Sequence, residues 1–391
     1  MTTPRTQATF VSPIVESRRW LDGVDLPKNR PLLNVSQAAP AEAPPEGLRQ
    51  AMAEAVLQDT AAHLYGPVLG NPDLRQALAA QISSHYEARI TADQVAITSG
   101  CNQAFAATIS ALCGEGDDVI IPVPWYFNHK MWLDMTGVRA QPLQVGPGML
   151  PSLAEAEALI TPRTRAIVLV TPNNPTGVEY PAELLRDFFE LARARGLTLI
   201  VDETYRDFDS REGAPHGLFQ LPNWPETLIH LYSFSKAYRL TGHRVGAIAA
   251  APARLFEMEK FLDTVTICPA QLGQIGALWG IENLGSWLAE ERREILARRA
   301  AIEAGFPTLA ARGWKLLGCG AYFAYVEHPF KQSAEDIARR LVAEASVLML
   351  PGSMFMPADN PDGARQFRIA FANVDVDGIA ELFDRLAAFD A

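Results

Sequence analysis

The stretch RAIVLVTPNNPTGVEYPAELLRDFFELARARGLTLIVDETY, residues 165–205, decides the fold. Its two apolar runs, RAIVLVTP and LTLIVDE, are short and β-rich, as strands buried on both faces are. Between them PAELLRDFFELARARG carries helical spacing; Pro181 begins it near the first turn and Gly196 closes it as a C-cap. Outward from this unit, QVAITSG, DVIIPVP, TLIHLYSFS and RVGAIAA repeat the strand pattern, bracketed by helical segments such as CNQAFAATISALCG. The alternation predicts an α/β fold: a large domain with a mainly parallel sheet between helices.

The Ala/Pro-rich QAAPAEAPPEG at 37–47 reads as an extended linker, and from about residue 285 the pattern changes. A long charged helix, SWLAEERREILARRAAIEAG, leads into strands KLLG, AYFAYVE, SVLML and QFRIAFA with helices between, which predicts a smaller α+β domain. The expected division is 1–47 as an N-terminal segment and linker belonging to the small domain, 48–284 as the large domain and 285–391 as the small one.

A net charge of −11 without a basic run argues against nucleic-acid or membrane surfaces and for small-molecule partners. The four cysteines, Cys101, Cys113, Cys268 and Cys319, have neither CxxC spacing nor clustered histidines, so no metal site or disulfide framework is expected and a reducing cytoplasm fits. The start, MTTPRTQATF, has no apolar signal core, and no run of 18 uncharged apolar residues follows.

Ligands of open α/β sheets bind beyond the carboxyl ends of the strands. Here five such ends are polar: TSGCNQA, VPWY, TPNNPTG, DETY and SFSK. Ser99 and Gly100 precede a helix starting near Cys101 or Asn102, whose free amides and dipole suit a phosphate, although a serine-capped turn would look the same. The stretch SFSKAYRLTGHRVG, 233–246, adds two hydroxyls, Ser233 and Ser235, and a fixed charge, Arg244. A lysine between such groups, Lys236, suits covalent attachment to a phosphorylated aldehyde. Asp202, closing an apolar strand, is placed to keep a pyridine nitrogen protonated. Asn174 and Tyr205 offer hydrogen bonds to a phenolate oxygen, and Tyr126 offers a stacking face. The fingerprints of nucleotide loops are missing.

With these residues the chain resembles the class I/II aminotransferases of the fold type I pyridoxal-phosphate enzymes over nearly its full length. NNPTG, DETY, SFSKAYRLTGHRVG and FRIAFA stand in that family's order. The resemblance implies pyridoxal 5′-phosphate as cofactor. Lys236 is then the attachment site, with Asp202 on the ring nitrogen, Asn174 and Tyr205 on the ring oxygen, and Tyr126 stacked. Ser99, Gly100, Cys101, Ser233 and Arg244 form the phosphate cradle. It also implies Arg368 as the substrate-carboxylate arginine, Lys236, Asp202 and Tyr205 as the catalytic set, and Tyr65 as a residue lent by a neighbouring subunit, hence a homodimer with a shared site. The family's glycine in the N-terminal segment is replaced by Ala38 or Ala39, which narrows the substrate space. DTVTICPAQLGQ lacks an arginine for a second carboxylate. The expected reaction moves an amino group between an L-amino acid, neutral or aromatic, and a 2-oxo acid by a ping-pong route. A C–S lyase or other elimination on the same scaffold is the alternative, and a regulator's effector domain or a non-catalytic binding protein the weaker ones.

Overall fold

The computed structural model describes residues 4–40 and 42–390; Met1–Thr3 of the expected N-terminal segment, Ala41 of the linker and Ala391 lie outside the described residues. Seven strands form the central sheet: β1 (Val95–Thr98), β2 (Asp118–Val123), β3 (Arg139–Gln144), β4 (Thr164–Val170), β5 (Thr198–Asp202), β6 (Leu228–Ser233) and β7 (Gly246–Ala249). Their spatial order is β1-β7-β6-β5-β4-β2-β3, with β7 antiparallel to both neighbours and the remaining pairs parallel. β3 was not legible: it is an edge strand, half-exposed, with Pro142 within it, so no apolar run announces it.

The helices used below are α1 (Pro13–Arg19), α2 (Pro72–His85), α3 (Cys101–Leu112), α4 (Phe127–Thr136), α5 (Ala182–Ala194), α6 (Phe234–Ala237), α7 (Gly285–Ala310), α8 (Ala334–Ala345) and α9 (Val376–Ala388). Alternate side chains of each strand enter separate cores: Leu199 and Val201 of β5 pack with α2 and α5, while Ile200 packs with α3. That two-sided burial is why the strands read as unbroken apolar runs. At the end of α5, Gly196 is left-handed at φ +65°, and Leu197 N–H donates to Ala192 O at 2.8 Å, closing the helix with a Schellman turn.

A second sheet, β10-β11-β9-β8, is built from β8 (Lys315–Gly320), β9 (Phe323–Glu327), β10 (Leu350–Pro351) and β11 (Gln366–Ala370), all antiparallel. The expected strand SVLML is interrupted at Met349. Val347–Leu348 pairs instead, in parallel, with Leu33–Asn34 of the N-terminal segment. Trp20, Leu33 and Val35 are buried in the same core as α8, α9 and this sheet. The linker is shorter than expected, because Glu46 and Gly47 already open the helix Glu46–Gln58. No helix among the described residues is long and apolar enough to cross a membrane.

Candidate active site

A cavity of about 420 Å³ opens where the carboxyl ends of the parallel strands meet the small domain. Each strand end delivers one function. Two residues after β1 comes Gly100, whose φ of +89° turns the chain into α3, so Gly100 rather than a serine is the N-cap and no side chain covers the first amides. A Cβ on Gly100 would collide with the Arg244 guanidinium, and one on Gly246 would come within 2.5 Å of Cys101 N. Two glycines therefore let the helix N-terminus, Arg244 and the start of β7 converge. Arg244 itself adopts φ +53°, a left-handed conformation uncommon for arginine, with Nη1 donating to Thr241 O at 3.0 Å.

β5 ends in Asp202. Its Oδ1 accepts from Thr204 N–H at 3.0 Å and from the Thr204 hydroxyl at 2.7 Å, and its Oδ2 lies 3.2 Å from His129 Nε2. Burial pushes this carboxyl's pKa up, but His129 and Thr204 outweigh that and hold it below its ordinary value, so it is ionised. His129 is fixed by stacking on Phe105 at 3.9 Å between ring centres. The next residue, Glu203, is turned away from the cavity. It accepts from Tyr86 Oη at 2.5 Å and lies beside His216 and His230, at 3.0 and 2.8 Å, which anchors the strand end in the opposite core.

β6 runs into α6, where the Ser233 hydroxyl accepts from Ser235 N–H at 3.3 Å and Lys236 faces the cavity. Lys236 Nζ donates to Ala38 O at 2.5 Å. Burial, with the charges of Arg244 and Arg368, lowers its pKa from 10.5 to about 7. An amine that sheds its proton near neutrality is a nucleophile and a base. Arg368, on β11, is buried and opposes it. It donates to Asn174 Oδ1 at 2.9 Å and to Ser36 O, and lies 4.9 Å from the ring centres of both Phe323 and Phe355. Its Nε has no partner, and burial lowers its pKa to about 10. A buried, incompletely satisfied guanidinium is a site for an anion.

The cavity brings together Ala38, Cys101, Tyr126, Asn174, Asp202, Tyr205, Ser233, Ser235, Lys236, Arg244 and Arg368 of the expected residues. Two stand apart. Ser99 donates its N–H to Gln103 Oε1 at 2.6 Å and does not line the cavity, and Tyr65 is 81% exposed, outside it. Cys101 contributes as part of the helix N-terminus; burial pushes its thiol pKa well up, so it stays protonated. Tyr205 is also pushed well up by burial. Sequence reading passed over His129, Thr204, Gln37 and Arg18. His129, a lone histidine on α4, carries no local signal of its role.

The chain is similar to known proteins over most of its length. Residues 30–386 match the family described as aminotransferase class I and II. The chain is 31% identical over 300 residues to an aromatic aminotransferase of Arabidopsis thaliana, covering 74% of this chain and 73% of that one. It is 28% identical over 357 residues to aromatic-amino-acid aminotransferase 2 of Thermococcus litoralis, covering 88% and 87%. A single mutant of Thermus thermophilus aspartate aminotransferase superposes with a TM-score of 0.87 at 25% identity over 99% of both chains. The chain belongs to the class I and II aminotransferase family. It is an enzyme, an amino-acid aminotransferase, and enzymes of this family depend on pyridoxal 5′-phosphate.

Proposed function

We propose that this chain holds pyridoxal 5′-phosphate at Lys236 and exchanges amino groups between an L-amino acid with a neutral or aromatic side chain and a 2-oxo acid. The residues fit the cofactor. The niche that Gly100 and Gly246 leave open beside Arg244 suits a phosphate, and the ionised Asp202 suits a protonated pyridine nitrogen. Bound there, the cofactor supplies an electron sink for the pair released when the substrate's Cα–H bond breaks. The protein's part is positional and protonic. Arg368 and Asn174 grip the α-carboxylate, which fixes the Cα over Lys236. Lys236, with its pKa near 7, takes the α-proton and returns it, so one amine serves as base and acid. Tyr126 would stack on the ring, and the Tyr205 hydroxyl would donate to its oxygen. The convergence of Lys236, Asp202, Asn174, Arg244 and Arg368 on one cavity carries this reading.

Ile14, Val15 and Phe127 line the outer cavity, which supports an apolar side chain in the substrate; the names of the Arabidopsis and Thermococcus relatives point the same way. Tyr65 and its apolar neighbours Leu57 and Leu64 are exposed. Such a surface supports a homodimer in which Tyr65 reaches the partner's phosphate site. Four free cysteines fit a reducing compartment such as the cytoplasm.

Titrating the purified holoenzyme with single amino acids, without any oxo acid, tests the proposal. Stoichiometric loss of the visible cofactor absorbance, yielding one oxo acid per site and the amine form of the cofactor, is expected. Continuing release of ammonia with the absorbance intact would replace transfer by elimination.

A further inference from the structure

A second cavity, of about 410 Å³, lies behind the turn that follows Tyr205 and shares no lining residue with the active site. Its walls are the end of α2 with the residues after it, the loop that follows β5, and the first turns of α7. Arg206 lines it, only 2% exposed, with Cζ 3.9 Å from the ring centre of Tyr232. Its Nη2 donates to Gln81 Oε1 at 2.8 Å, but Nε and Nη1 have no hydrogen-bond partner; Asp207 Oδ1, 3.6 Å from Nε, is too far to accept. His85 Nε2, buried in the same wall, has no partner either. Burial and the charge of Arg206 lower the pKa of His85, so its ring is neutral and adds no charge. Buried donors without acceptors are costly, a charged one most of all. The remaining charges are mostly committed to one another. Arg211 bonds Asp209 at 2.9 and 2.5 Å, Arg292 bonds Glu212 at 3.1 Å, and Asp207 accepts from Tyr232 Oη at 2.8 Å. Glu87 is the one lining acid with neither hydrogen bond nor ion pair among the described residues. It directly follows Tyr86, whose ring centre is 6.0 Å from Arg206 Cζ, which places the open acid near the open guanidinium. Three arginines against four acids disfavour a plain anion and suit a ligand that carries both charges.

We propose that this second cavity binds a free α-amino acid, its carboxylate at Arg206 and His85, its ammonium at Glu87, and an apolar side chain against Leu288, Ala214 and Pro215. The carboxylate supplies the acceptors that the buried guanidinium and imidazole lack, and the ammonium gives Glu87 its counter-charge. Arg206 directly follows Tyr205, and Tyr232, on which it stacks, directly precedes Ser233. An occupant therefore lies against the two chain segments that deliver those active-site residues, from the side the substrate does not reach. The inference stands apart from the transamination reading, because the two cavities have no residue in common.

The test is equilibrium dialysis of labelled L-leucine against the holoenzyme, without any oxo acid and after any reaction at the active site has run to its end. Bound leucine is expected to persist in Arg368→Gln, which impairs the active site, and to weaken about tenfold in Arg206→Gln, the size of one charge-assisted hydrogen bond. Glu87 is exposed, so Glu87→Gln tests the site even where Arg206→Gln fails to fold. It should weaken leucine about threefold, the size of an exposed ion pair, and leave 4-methylpentanoate, the same molecule without its amine, unaffected. Loss of binding in Arg368→Gln with none in Arg206→Gln or Glu87→Gln would place the leucine in the active site and overturn the proposal. So would the absence of any bound leucine, or binding of inorganic phosphate more tightly than leucine, which would make the cavity a plain anion site.

Discussion

Lys236 shows how a residue's surroundings set its chemistry. Its sequence neighbours suggest a phosphate, but its charge state is set first by burial, then by Arg244 and by Arg368, which lies 132 residues away in the sequence on another sheet. Because burial and these charges lower the pKa, the amine is neutral and reactive above about 7 rather than above 10.5. Cofactor uptake by the apoenzyme should therefore quicken as pH rises through 7 and level off beyond it, measured by stopped-flow absorbance. In Arg368→Gln, which removes one of the opposing charges, the midpoint should move upward. Lys236→Ala should abolish turnover; a variant retaining the wild-type rate would take the lysine out of the mechanism. Arg368→Lys replaces a forked donor by a point charge, so the half-saturating amino-acid concentration should rise about tenfold or more in single half-reactions. Asp202, Asn174 and Tyr205 stood out as polar residues following apolar strands, and Arg368 as a charge inside an apolar one, which is costly without a partner. His129 was not, since a lone histidine on a helix announces nothing until the fold sets it against Asp202.

At the scale of elements, the junction of β1 and α3 depends on one backbone conformation. Gly100 holds φ +89° with the Arg244 guanidinium against it, so Gly100→Ala both strains the turn and displaces the arginine. Backbone strain of this kind costs about 1–3 kcal/mol. The expected result is at least a tenfold weaker hold on the cofactor, read by equilibrium dialysis, with the far-ultraviolet circular dichroism unchanged. Strands buried on both faces were readable from composition, and α5 from its spacing and glycine stop. β3 and the split strand at 347–351 were not, because their pairing is decided by partners distant in sequence, β2 and the N-terminal segment.

For the whole molecule, the seam between the domains is what completes the site. Gly177, at φ +77°, lies against the backbone of β8 and β9: a Cβ there would meet Phe323 O and come within 2.6 Å of Gly320 N. Beside it Arg299 of α7 pairs with Glu179 at 3.2 Å, and Arg368 bonds Asn174 across the same seam. Backbone cannot yield as a side chain would, so Gly177→Ala should part the domains locally. It should lower the thermal unfolding midpoint by calorimetry and raise the half-saturating amino-acid concentration together; a shift in only one would uncouple the seam from the site. The sequence by itself determined the alternating architecture and announced the lysine, the serine and arginine near it and the strand-end acid, because burial and strand-end chemistry are written locally in the chain. Only the tertiary structure decided that Arg368 faces Lys236, that His129 fixes Asp202 and that Arg18 reaches the cavity from the N-terminal helix. Those contacts arise from packing two cores against each other, and no local pattern encodes the distance between residues that meet across them.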